Sequence, residues 1–168
     1  IITTERALQP HLINRKYFKD SILYLEKGKV LELKTLTSKL TELGYKKEVI
    51  TTNEGQWSQR GEIIDVFPVN NEVPIRIEFF DNIIEKIREY DSTNQRTLET
   101  INSINISQSA SSHKIRKELI NLSKTNEFYL EGKNISSNLD RFLGLIEDSP
   151  TSIKSFIDSN TYIIFDEL

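Results

Sequence analysis

The chain has 168 residues, 37% of them hydrophobic and 28% charged, with a formal net charge of −3, which suits one soluble globular domain or one with part of a second. The absence of cysteine excludes disulfides and thiolate metal sites, and the slight acidity lacks the basic footprint of a nucleic-acid binder. No apolar run approaches the roughly 20 residues that span a bilayer, and no signal-peptide pattern is visible.

Ile1-Ile2-Thr3-Thr4 carries no initiating Met and reads as a chain entered mid-strand, so a piece of a longer protein is expected. Thr3 or Thr4 can cap a helix over residues 4–13, with Glu5 near its positive end and Pro10 limiting it. Ile22-Leu23-Tyr24-Leu25 form a short apolar strand, ended by the turn residues Glu26-Lys27-Gly28-Lys29. Leu33, Leu36, Leu40 and Leu43 recur on one helical face, predicting an amphipathic core helix over 33–43 that stops at Gly44. A strand is expected over 45–52, around Val49 and Ile50.

Residues 56–60 and 62–67 follow as strands with a bend at Gly61, since glycine inside a strand pattern marks a bulge or a close backbone approach. Ile75-Arg76-Ile77-Glu78-Phe79-Phe80 then alternates apolar and polar residues, the pattern of a half-buried strand. Its odd-numbered residues share the core face, which sets Arg76, Glu78 and Phe80 on the other. Asp81-Asn82 suits a two-residue hairpin turn because both types tolerate positive φ. The returning strand, 84–90, breaks strict alternation at Ile83, Ile84, Ile87 and Tyr90, which predicts a bulge or strong twist.

Residues 91–94 are a turn, 101–106 a last strand, and the serine-rich 107–112 a linker. Beyond it, Ile115, Leu119 and Leu122 have helical spacing; 139–146 and 152–157 suit short helices, and 161–165 a buried strand. The five or more short strands with one clear helix make an α+β unit with a small mixed, mainly antiparallel sheet, large enough to fold around its own core.

No phosphate loop, GxGxxG, HExxH, GxSxG or CxxC occurs. His11 and His113 have no ligand-like spacing and read as solvated surface groups. Glu62, Asp65 and Glu78 read as ion-pair partners of Arg60, Arg76 and Arg88 rather than as a catalytic pair. The strand-plus-acid run Ile163-Ile164-Phe165-Asp166-Glu167 imitates a Mg²⁺ site of nucleotide hydrolases, but without a phosphate loop it is a strand end. Lys114, Arg116 and Lys117 offer a phosphate-backbone contact, without the aromatic interleaving of single-strand binders. Arg76 and Phe80 on one exposed strand face have the composition of an interface anchor, although a single exposed aromatic beside a cross-strand ion pair accounts for them equally well.

The runs GQWSQRGEIIDVFP from Gly55, VPIRIEFFD from Val73, IREYD from Ile87 and NQRT from Asn94 together resemble the second domain shared by the excision-repair helicase UvrB and the bacterial transcription-repair coupling factors. Gln56 stands where the family has an acid, Trp57 where it has Phe, and Glu62 where it has a second glycine. The resemblance implies a UvrA-interaction domain over 19–109, inserted in a degenerate helicase-like α/β host whose parts are 1–18 and 110–168. Leu143-Gly144-Leu145-Ile146, Pro150 and the run from Tyr162 to Glu167 look more like a coupling factor than the helicase.

The resemblance further implies a non-catalytic module that binds UvrA through Arg60, Arg76 and Phe80. No cofactor is expected in this piece; ATP and Mg²⁺ belong to absent domains of a cytoplasmic translocase, which also carry its contacts to RNA polymerase and DNA. Two alternatives stand beside this reading: the equivalent domain of UvrB, and a nucleic-acid module built on residues 113–117.

Overall fold

A computed structural model describes residues 12, 14–110, 115, 118–121, 151–162 and 164. Its helices among the described residues are α1, Arg15–Asp20, and α2, Leu33–Glu42, with further helical residues at 115 and 118–121 and a 3-10 turn at Ile153–Phe156. Its strands are β1 (Leu23–Glu26), β2 (Lys46–Lys47), β3 (Gln56–Arg60), β4 (Ile63–Val66), β5 (Ile75–Phe80), β6 (Ile83–Tyr90), β7 (Thr97–Ile101) and β8 (Ser103–Ile106). Six of them form a sheet in the order β2-β3-β4-β5-β6-β7, and β1 pairs with β8 in a separate ribbon. Among the described strands only the β2–β3 pair is parallel. The architecture is the expected α+β one.

One face of the large sheet makes the core. Ile64, Ile75, Ile77, Ile84 and Ile87 are fully buried on it, packed with Leu36 and Leu40 of α2 and with Leu25 and Ile106 of the ribbon. The leucine spacing therefore placed α2 correctly, and Gly44 follows it at φ +87. A Cβ on Gly44 would lie 2.7 Å from the carbonyl oxygen of Ala110, so both conformation and space require glycine there. Gly44→Ala is expected to cost about 2–3 kcal/mol, read as a lower urea midpoint at unchanged slope.

The break in alternation along β6 is a bulge. Glu78 pairs with Lys86 while Phe79 pairs with Ile84, which leaves Glu85 unpaired. The extra residue lets Ile84 and Ile87 both face the core despite their odd spacing. Asp81 and Asn82 have φ 48 and 64, the two positive values that a type I′ hairpin turn demands.

Several expectations change. The strand around Val49 and Ile50 shrinks to Lys46–Lys47, with Val49 and Ile50 both strongly exposed. The chain turns away there because Thr51, not either apolar neighbour, is buried, its hydroxyl donating to Ser58 Oγ at 3.0 Å. The strand over 101–106 splits at Asn102, whose carbonyl accepts from Lys27 N at 2.8 Å, so β7 joins the large sheet and β8 the ribbon. The described part of the serine-rich run, 107–110, is no loose linker. Tyr45 donates its hydroxyl to Ser107 O at 2.8 Å, and Ser109 N donates to Leu43 O at 2.8 Å.

Leu12, expected as helical, instead bridges Thr151 in an antiparallel pair, and the rest of 4–13 lies outside the described residues. Ile115 and Leu119 are buried and helical as their spacing requires, and Ile153–Phe156 forms only one 3-10 turn of the helix expected over 152–157. Tyr162 and Ile164 are exposed, so the described part of 161–165 is not a buried strand. The helix expected over 139–146 lies outside the described residues.

Tyr45 and Tyr90 are almost fully buried, and burial pushes both phenols up to about 12 from 10.0. A raised folded-state pKa means that the folded chain holds its proton longer than the unfolded one. The stability this carries is complete below pH about 10 and is lost as pH rises through about 12. At roughly 1.4 kcal/mol per pH unit for each tyrosine, urea midpoints are expected to fall between pH 9 and 11.5, and to fall less in Tyr45→Phe.

Candidate protein-interaction surface

The opposite face of the sheet is where the even-numbered residues of β5 point. The register sets Ser58, Asp65, Arg76 and Arg88 in one row across β3, β4, β5 and β6. Asp65 is only 3% exposed. A carboxylate so far from water needs opposite charge and hydrogen bonds to remain there.

Arg76 supplies most of that. Its Nε donates to Asp65 Oδ1 at 2.7 Å and its Nη2 to Oδ2 at 2.9 Å, the parallel fork that lysine cannot copy. Arg60 Nη2 adds a third bond to Oδ2 at 2.9 Å. Arg76 also donates to Gln95 Oε1 at 2.8 Å and lies 4.5 Å from the Tyr90 ring centroid. The hydrogen bonds to Asp65 push its guanidinium above its already high ordinary value, with burial opposing them. The side chain of Arg76 is 15% exposed and that of Arg60 57%.

Phe80 sits at the far end of β5, 65% exposed. Four residues of strand, about 13 Å, separate it from Arg76, and Glu78 between them is paired with Arg88. The structure thus joins Arg60 to Arg76 through Asp65 and keeps Phe80 on the same face but apart. An arginine and a phenylalanine standing side by side is not what the strand presents.

Glu62 does not disturb Arg60. Arg60 pairs with Ile63 across a two-residue hairpin turn in which Gly61 alone has positive φ, +60. That is the requirement of a type II′ turn, whose second position accepts any L-residue. The expected bend is a hairpin.

The ion pairs Arg60–Asp65, Arg76–Asp65 and Arg88–Glu78 bear out the reading of Asp65 and Glu78 as structural partners. Tyr90 and Gln95 were missed as parts of the network. Tyr90 comes from the far end of β6 and Gln95 from a turn at φ 62, and no spacing rule connects either to Arg76. Lys114, Arg116 and Lys117, like His11, His113, Asp166 and Glu167, lie outside the described residues.

Among the described residues no group of acids or histidines is arranged to hold a metal ion. The Tyr90 phenol, held at about 12, is no base at neutral pH. No helix among the described residues is long and apolar enough to cross a membrane. What the face presents is the open guanidinium of Arg60, the largely covered one of Arg76, the part-exposed one of Arg88 beside Glu78, and the Phe80 ring.

The family described as the UvrB interaction domain matches residues 23–112. The transcription-repair-coupling factor of Bacillus subtilis is 29% identical over an alignment of 196 residues that covers 100% of this chain and 17% of that protein. That of Staphylococcus aureus (strain bovine RF122 / ET3-1) is 35% identical over 114 residues, covering 68% and 10%. That of Escherichia coli (strain K12) is 30% identical over 106 residues, covering 63% and 9%. The chain spans 17% or less of the length of each of these relatives. With more than half of its residues matched by one family, and that match running across the whole arginine-bearing face, the chain belongs to the UvrB interaction domain family.

Proposed function

We propose that this chain is the non-catalytic recruitment module of a transcription-repair coupling factor, and that the outer face of its sheet binds UvrA, the damage-sensing ATPase of excision repair. The observation that carries this reading is the family match over the segment that builds the Arg60–Asp65–Arg76 row. Coupling-factor relatives favour this parent over the UvrB helicase.

Arg60 uses one nitrogen on Asp65 and has its remaining donors toward solvent, so a carboxylate of the partner can fork onto it. Arg76 contributes its exposed edge and the rigidity of a guanidinium stacked on Tyr90. Phe80 supplies the aromatic anchor. In the parent protein, ATP-driven translocation on other domains, with Mg²⁺, would act on DNA and stalled RNA polymerase in the cytoplasm, and this domain would bring UvrA to them.

The test is a titration of the immobilised chain with purified UvrA. Arg60→Ala removes an exposed side chain whose partner Asp65 keeps its fork from Arg76, so folding is spared while binding weakens roughly tenfold. A wild-type chain that does not bind UvrA overturns the reading.

A further inference from the structure

Single exposed apolar residues on a surface need no explanation, whereas a contiguous group of them marks a contact site. Phe80 has such company. It is the register partner of Ile83 across the β5–β6 hairpin, and Ile83 is the partner of Val30 in an isolated antiparallel bridge. Register partners point to the same side of a sheet, so Val30, Ile83 and Phe80 form one row at the hairpin end of the outer face.

The bridge is held by Ile84 N donating to Lys29 O at 3.0 Å and Leu31 N donating to Asn82 O at 2.7 Å. Those bonds flank Val30 and Ile83 without joining them directly, which makes them a non-hydrogen-bonded pair, the arrangement with the closest side chains. Val30 is 74% exposed, Ile83 40% and Phe80 65%. The loop that carries Val30 adds a short rung beyond β6 and so widens the apolar row past the arginine-bearing part of the face.

We propose that Val30 and Ile83 extend the UvrA-docking face beyond Phe80, as an apolar row that seats an apolar ridge of that partner. This rests on the reading of the outer face as the UvrA site and adds two residues to it. Continuity with Arg60 and Phe80 on one sheet face assigns the row to the same partner. The cations Arg60, Arg76, Lys86 and Arg88 on this face outnumber its acids Asp65 and Glu78, a balance that favours an acidic partner over a copy of itself.

The experiment titrates the full chain with purified UvrA, comparing Val30→Thr, Ile83→Thr, Phe80→Ala and Val49→Thr, with Trp57 fluorescence following thermal unfolding. Threonine keeps the β-branching and replaces apolar surface with a hydroxyl. Val30→Thr and Ile83→Thr are each expected to raise Kd roughly fivefold to tenfold with unfolding unchanged. Val49→Thr, which alters an exposed apolar residue outside the row, is expected to bind as wild type. If Phe80→Ala weakens binding while Val30→Thr and Ile83→Thr do not, the row is overturned and the UvrA reading stands. Equal weakening by Val49→Thr, or a dimer in gel filtration that Val30→Thr dissolves, also overturns it. A wild-type chain that fails to bind UvrA removes both.

Discussion

Asp65→Ala is expected to destabilise the chain by about 2–4 kcal/mol, seen as a lower urea midpoint. The carboxylate is nearly inaccessible and accepts three bonds from two guanidinium groups. Its removal leaves Arg76, only 15% exposed, with a desolvated charge that Gln95 alone cannot satisfy. Arg60 loses little, because water reaches it. The loss should be partly recovered in Asp65→Ala with Arg76→Met, where no unpaired charge remains and a long apolar chain covers Tyr90. Unfolding of Asp65→Ala at the wild-type midpoint would show that the network carries no stability.

The same geometry decides which substitutions report on docking. Arg76→Ala leaves Asp65 with one exposed partner, so a loss of UvrA binding in that variant mixes lost contact with a weakened fold. Besides the contact proposed for it, Arg76 braces the face through its fork onto Asp65. Phe80 and Arg60 are the cleaner probes.

Phe80→Ala is expected to weaken UvrA binding by about 2–4 kcal/mol, roughly 30-fold to 1000-fold in Kd. The ring stands 65% exposed at a strand end held by a type I′ turn, so its position is set before the partner arrives and little conformational freedom is lost on docking. Because the ring packs little within the chain, stability should change by no more than about 0.5 kcal/mol. Isothermal titration beside a urea curve separates the two quantities. A Phe80→Ala chain that binds UvrA with wild-type affinity would remove Phe80 from the interface.

Much of this protein follows from local rules. The leucine spacing placed α2, the alternation of residues 75–80 assigned Arg76, Glu78 and Phe80 to the outer face, and Asp81-Asn82 announced their own turn. Each depends only on residues a few positions apart, where helical or extended geometry alone relates one side chain to the next. Where neighbours in sequence compete, as at Val49-Ile50-Thr51 or across Asn102, composition misleads. There, hydrogen bonds to distant segments decide which residue is buried and which sheet a strand joins.

The candidate site divides the same way. That Arg60, Arg76 and Phe80 deserve notice was legible from their runs. That Asp65 ties the two arginines together, that Tyr90 underlies one of them, and that Val30 stands beside Ile83 depend on strand order and register. Register is a property of pairs of strands. It is set by how the whole apolar face packs on α2 and the ribbon, because a one-residue slip would turn Ile64, Ile75 and Ile77 to water. Along β5 the sequence alone determined which side chains leave the core; only the packed sheet decided which of them meet.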